Sequence, residues 1–132
     1  MINLLPNYEK KVLCETLETD SIVQQLSQKL FRASQVYWLL KGVSSEAIFY
    51  YYILSQRVGR RRIKYFLRAA SKIKLAIDGH DLKNIGVDSN AMMGKILNAI
   101  LSLKWDGKIK IKKQELAFAR RILKEREEYG TH

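Results

Sequence analysis

Acidic residues are missing from the whole stretch between Ala47 and Ile77, while Arg57, Arg60, Arg61, Arg62, Lys64, Arg68, Lys72 and Lys74 place eight cations in it. A solvated helical face normally mixes signs so that neighbours four apart attract. This run repels itself, a cost that an anionic partner would relieve. Cysteine is nearly absent as well. Cys14 has no second thiol to pair with, and the first residues lack the basic start and apolar run of a secretory leader, which together point to a reducing, cytoplasmic setting. One proline in 132 residues excludes the proline-rich, low-complexity class. The longest apolar run, Ala47 to Leu54, is far short of the roughly 20 residues that cross a bilayer, so no membrane span is expected.

What the chain does have is apolar residues, 47% of it, and a formal net charge of +11 from 24 Lys and Arg against 13 Asp and Glu. The length suits one ordinary domain or two small helical subdomains. The charge would concentrate a polyanion near the surface, nucleic acid before an anionic membrane.

Apolar residues recur at helical spacing along most of the chain, so the expected class is all-α, a compact bundle of about five to seven helices. A short helix is expected from Tyr8 to Leu17, after Pro6 and Asn7. Asp20 and Ser21 can cap a long helix through Leu40, with Ile22, Val23, Leu26, Leu30, Ala33 and Tyr37 inward, ending at Lys41 and Gly42. Ser44 or Ser45 starts the next, Glu46 to Ser55, apolar on nearly all sides and therefore central, with the Tyr50-Tyr51-Tyr52 run in the core. From Val58 to Lys74, Ile63, Phe66, Leu67, Ala70 and Ile73 define an amphipathic helix whose other face is cationic. The chain changes character near residue 75, which divides it into regions 1–74 and 75–132. Beyond a turn, Ser89 and Asn90 begin a helix to Trp105, stopped by Asp106-Gly107. A last helix runs from about Lys113 to Glu128 with Leu116, Phe118, Ala119, Ile122 and Leu123 inward.

The segment Asp78-Gly79-His80-Asp81-Leu82-Lys83-Asn84-Ile85-Gly86-Val87, then Met93-Gly94-Lys95-Ile96-Leu97, then Leu103-Lys104-Trp105-Asp106-Gly107-Lys108-Ile109, resembles the tail of class II tRNA nucleotidyltransferases. That family comprises the CCA-adding enzymes and their bacterial poly(A) polymerase relatives. Gly79, Asp81, Leu82, Gly86, Gly94, Leu97, Asp106 and Gly107 carry the match. Where the family usually has Pro-Gly-Pro, this chain has Ser89-Asn90-Ala91, which must shape that loop differently. The resemblance implies a helical body (1–74) and tail (75–132) that hold tRNA along its acceptor stem and elbow. It also implies a catalytic head, using divalent metal and nucleotide, in another segment or polypeptide.

Nothing in this sequence supplies that head. It contains no Asp-x-Asp pair to hold metal ions for nucleotidyl transfer, no Gly-x-Gly phosphate loop, and none of the family's Asp-x-x-Arg nucleotide-selecting pattern. No catalytic residue, metal ligand or cofactor is therefore assigned to this chain. Asp78, His80 and Asp81 are close together, but a ligand set draws on side chains converging from separate elements, and Asp81 reads better as a helix cap. Cys14, beside Val12 and Leu13, reads as a small buried hydrophobe.

Two short helices joined by the Gly86 turn would expose backbone amides and a positive helix end to a phosphate, in the manner of a helix-hairpin-helix. The other reading is that Gly86 and Gly94 let two helices pack closely. The candidate contacts to nucleic acid are the eight cations from Arg57 to Lys74, together with Lys83, Gly86, Gly94, Lys95, Lys104, Lys108 and Lys110. RNA, foremost tRNA, is the expected partner; the alternative is a basic helical module docking an acidic protein or a membrane surface.

Overall fold

Side-chain caps at Ser44, Asp78 and Ser89 and positive-φ glycines at Gly42, Gly86 and Gly107 set several of the helix ends. The computed structural model describes residues 7–129, apart from the side chains of Thr16 and of residues 127–129; Pro6 lies outside it. Eight helices and no strand occur among the described residues, so the class is all-α as expected. The chain divides into two compact units, up to Ala70 and from Ser71. No helix among the described residues is long and apolar enough to cross a membrane.

The first unit holds α1 (Asn7–Leu17), α2 (Thr19–Leu26), α3 (Ala33–Leu40), α4 (Ser45–Leu54) and α5 (Arg57–Ala69). Helices α1, α2 and α5 pack on α4, while α2 and α3 pack on α5. Leu26, Val36, Leu40, Ala47, Ile48, Tyr51, Ile63 and Phe66 are buried between them. Ser44 caps α4 by accepting from Ala47 N, and its hydroxyl donates to Glu15 of α1. The Tyr51 hydroxyl donates to the Glu15 carbonyl, and burial raises the phenol above its ordinary pKa, with the charges of Glu15 and Glu18 adding to this.

Four expectations fail here for physical reasons. The single helix from Asp20 to Leu40 is broken, because residues 27–32 leave the helical path between α2 and α3. The released carbonyls of Leu26 and Gln28 accept from Arg62, each at 2.6 Å, and Gln35 Oε1 accepts from Arg32 N at 2.7 Å to start α3. Helix α4 is not buried all round: Ala47, Ile48 and Tyr51 face inward, whereas Phe49, Tyr50, Ile53 and Leu54 are exposed. Only the middle tyrosine of the triplet is core. Helix α5 stops at Ala69, so Lys72 and Lys74 are not on it, and Leu67 faces out. Cys14 is exposed, on a short helix whose other face meets α2 and α4.

The second unit holds α6 (Gly79–Asn84), α7 (Asn90–Trp105) and α8 (Lys112–Tyr129), with α7 packed on both others. Its core is Ile77, Leu82, Val87, Met93, Ile96, Ile100 and Ala119. Asp78, rather than Asp81, is the cap of α6. Asp78 Oδ1 accepts from Asp81 N, and Asp81 Oδ2 accepts from Asp78 N, both at 3.0 Å, a reciprocal capping box. Ser89 caps α7 as expected.

Two glycines of the tail-like motif end these helices in the same way. At Gly86 (φ +110), Gly86 N donates to Lys83 O and Val87 N to Leu82 O; at Gly107 (φ +76), Gly107 N donates to Lys104 O and Lys108 N to Leu103 O. Each is a Schellman closure, which needs a left-handed residue that glycine adopts without a Cβ clash. After the first, Val87 packs in the same core as Leu82.

Candidate nucleic-acid interface

Arg57, Arg61, Lys64 and Arg68 fall at i, i+4, i+7 and i+11 of α5, on one stripe opposite the buried Gly59, Ile63 and Phe66. With Tyr52 of α4 and Arg60 they line a groove of about 510 Å³. Among the described residues none of Arg57, Arg60, Arg61, Arg62 and Lys64 forms an ion pair with a carboxylate. Arg57 and Arg60 also lie in the first turn of α5, the positive end of its dipole, where a cation is disfavoured and an anion favoured.

Two of the arginines, exposed Arg60 and half-buried Arg62, hydrogen-bond to main-chain carbonyls of the fold. Arg60 donates through Nε to Tyr52 O and through Nη2 to Ile53 O, each at 3.0 Å, and so caps the C-terminal end of α4. Its guanidinium lies 5.2 Å from the Tyr52 ring centre, and Lys64 Nζ approaches the same ring at 5.7 Å. Arg62 caps α2 through Leu26 O and Gln28 O and covers the Phe31 ring at 5.7 Å. Burial, and then the charge of Arg61, lower the Arg62 pKa from its ordinary value; an arginine there still stays charged.

In the second unit the expected contacts are distributed over separate elements. Lys83 on α6, Lys95 on α7, and Lys72, Lys74, Lys108 and Lys110 in the connections are all exposed. Lys104 is different: its ammonium meets Glu115 Oε2 at 2.8 Å and donates to Lys74 O at 2.6 Å, with side-chain exposures of 11% and 0% for the pair. It is a buried brace, not a surface contact. The Gly86 turn also differs from the expected amide cradle, because the Gly86 and Val87 amides are used within the Schellman closure. A Cβ on Gly86 would meet Leu123 Cδ2 at 3.3 Å, so this glycine does allow close packing. Gly94 does not, since a Cβ there would meet nothing within 4 Å.

The chain is distantly similar to a tRNA nucleotidyltransferase. An A-adding tRNA nucleotidyltransferase of Geobacter sulfurreducens is 22% identical to it over 127 residues, covering 92% of this chain and 14% of that protein. No family model matches the chain, and no solved structure does. The similarity spans both units, whereas the resemblance read from the motif lay in residues 78–109 alone. No group of three or more His, Cys, Asp or Glu side chains that could hold a metal ion occurs among the described residues.

Several residues of the site escaped the sequence reading. Tyr52 sits under the cationic groove rather than in the core. Lys29, Phe31 and Arg32, brought beside Arg62 by the break after α2, extend the basic surface. The break is held locally by the Arg32–Gln35 cap and, from a distance, by Arg62, 36 residues from Leu26. Glu115 could have been noticed, because a lone acid four residues before the buried Ala119 stands on the inward stripe of α8.

Proposed function

We propose that this chain is the tRNA-binding body and tail part of a tRNA nucleotidyltransferase (CCA-adding) system. In this reading residues 1–74 are body-like and 75–132 tail-like. They hold tRNA by its phosphates so that the 3′ end reaches a catalytic head outside this chain, in a cytoplasmic setting. The observation that carries the reading is the α5 stripe, where Arg57, Arg61 and Lys64 point outward with no carboxylate against them among the described residues. Such a stripe matches a ribose-phosphate chain, and contacts to phosphate position a nucleic acid without reading its sequence. A-form RNA hides its base edges in a deep groove, so recognition of a stem is by shape. The similarity to an A-adding enzyme supports tRNA as the RNA.

The test is a titration of folded tRNA by fluorescence anisotropy across a salt series. Arg57→Gln, Arg61→Gln and Lys64→Gln should each weaken binding and reduce the log–log salt slope by about one. An unstructured RNA of equal length should compete less well than tRNA; equal competition removes shape recognition. A second reading, an interaction module docking an acidic protein or membrane surface, draws on the exposed apolar residues Phe49, Tyr50, Ile53 and Leu54 of α4. Heparin competing as well as tRNA would favour it.

A further inference from the structure

Arg61 and Arg68 line two grooves, one on each side of the α5 stripe. The first, described above, holds cations and a single ring. The second, about 410 Å³, is lined by Phe31, Val36 and Tyr65 beside Arg61, Arg62 and Arg68. Its floor is apolar, since Val36 is buried, and its walls are flat: Tyr65 is 42% exposed and Phe31 is covered on one side by the Arg62 guanidinium. Neither groove is lined by a carboxylate. A duplex phosphate backbone would use the first groove and leave the second empty, because its bases stay stacked inside the helix. An unpaired nucleotide fills both, as a base has two apolar faces and a charged neighbour. Unstacked bases are held on aromatic rings and on arginine planes.

Building on the proposed function, we propose that the Phe31–Tyr65 groove receives one unpaired base of an RNA strand whose phosphate rests on Arg61. The substrate class is thus a stem next to a single-stranded nucleotide, not a fully paired stem. The guanidinium that caps α2 then has a second use, because Arg62 also forms a planar wall for the base.

The probe is a pair of RNA hairpins with identical stems, one blunt and one with a short 3′ overhang carrying 2-aminopurine. On the full chain, the overhang should add to affinity, and binding should quench the 2-aminopurine. Tyr65→Ala should weaken the overhang hairpin about tenfold or more, leave the blunt one unchanged, and abolish the quenching. Tyr65→Phe should restore both, which a merely structural role for the hydroxyl would not predict. Equal weakening of both hairpins, or undiminished quenching in Tyr65→Ala, overturns the base groove while leaving the phosphate stripe standing. If adenosine monophosphate competes as well as the overhang RNA, the groove is a mononucleotide pocket and the inference also fails. Absence of salt-dependent binding to both hairpins, unaltered by Arg57→Gln, defeats the proposed function itself and is a separate outcome.

Discussion

Arg62 in the first unit and Lys104 in the second are both drawn in from a strongly basic sequence, yet they are satisfied by different chemistry. Arg62 meets carbonyls after α2, those of Leu26, Gln28 and Lys29, together with the Phe31 ring, and no carboxylate among the described residues. Lys104 meets a carboxylate, Glu115, whose oxygens also accept from Ala76 N and Ile77 N. A planar guanidinium with several donors can span two carbonyls while its charge stays partly hydrated, whereas a compact ammonium at 11% exposure needs a counter-charge. The consequence for the surface is opposite in the two units. Carbonyl capping cancels no charge, so Arg62 still adds to the positive field of α5. The Lys104–Glu115 pair cancels one charge and fastens the 74–77 segment to α7 and α8.

The sharpest way to break this comparison is at Glu115. Glu115→Ala leaves the Lys104 ammonium and two amides without their acceptor, and losing one member of a buried pair costs about 3–5 kcal/mol. That approaches the whole stability of a small unit, so the second unit should be largely unfolded in mild urea. In a Trp38→Phe background, fluorescence of the buried Trp105 reports this unit alone. Glu115→Gln, which still accepts from the amides, should lose less, and adding Lys104→Met to it should recover part of the loss. A Glu115→Ala chain with an unchanged urea midpoint would show that the brace is incidental.

Next in size is the Arg62 contrast. Arg62→Ala removes charged hydrogen bonds at a half-exposed site and should cost about 1–2 kcal/mol. Arg61→Ala, on the outward stripe, should lie within about 0.5 kcal/mol of the parent, as surface changes usually do. RNA affinity should follow the reverse order, with Arg61→Ala the weaker binder. If the two variants lose stability equally, the division between capping and outward arginines is wrong.

How much of this could be read in advance depends on how local each determinant is. Ser89 and Ser44 announce α7 and α4, and Gly42 and Gly107 end α3 and α7, because a cap and its helix are neighbours in sequence. The cationic stripe of α5 was legible for the same reason, from residues three and four apart. The break between α2 and α3 was not, since a guanidinium remote in sequence stabilises the open carbonyls. Nor were the partners of Glu115: its place on the inward stripe of α8 could be read, but the amides it accepts from lie 38 and 39 residues away. The exposed half of α4 escaped because hydrophobicity on all sides gives no direction: periodicity identifies a buried face only where polar residues mark the other one.

Smaller effects separate the glycines. Gly86→Ala forces a Cβ into the left-handed region and to 3.3 Å from Leu123 Cδ2, and should cost about 1–2 kcal/mol. Gly94→Ala is expected to stabilise by about 0.5–1 kcal/mol, because it sits inside α7 with open space around it. Urea midpoints of both variants, again from Trp105, check the opposite signs. A loss at Gly94 would reinstate a packing role for it.

The smallest effect is the acid response of the α6 cap. The amide of Asp81, donating to the Asp78 carboxylate, holds Asp78 below its ordinary pKa despite some opposing desolvation. A carboxyl depressed in the folded state contributes stability that is fully present above the unfolded value, about 3.9, and is lost as pH falls through the folded one. Asp78→Asn still presents an oxygen to Asp81 N but cannot titrate there. The gap between the parent and Asp78→Asn thermal midpoints should therefore be widest at neutral pH and close as the solution is acidified below pH 4. A gap that stays constant down to pH 2 would mean that the cap works through hydrogen bonding alone, with the charge contributing nothing to where α6 begins.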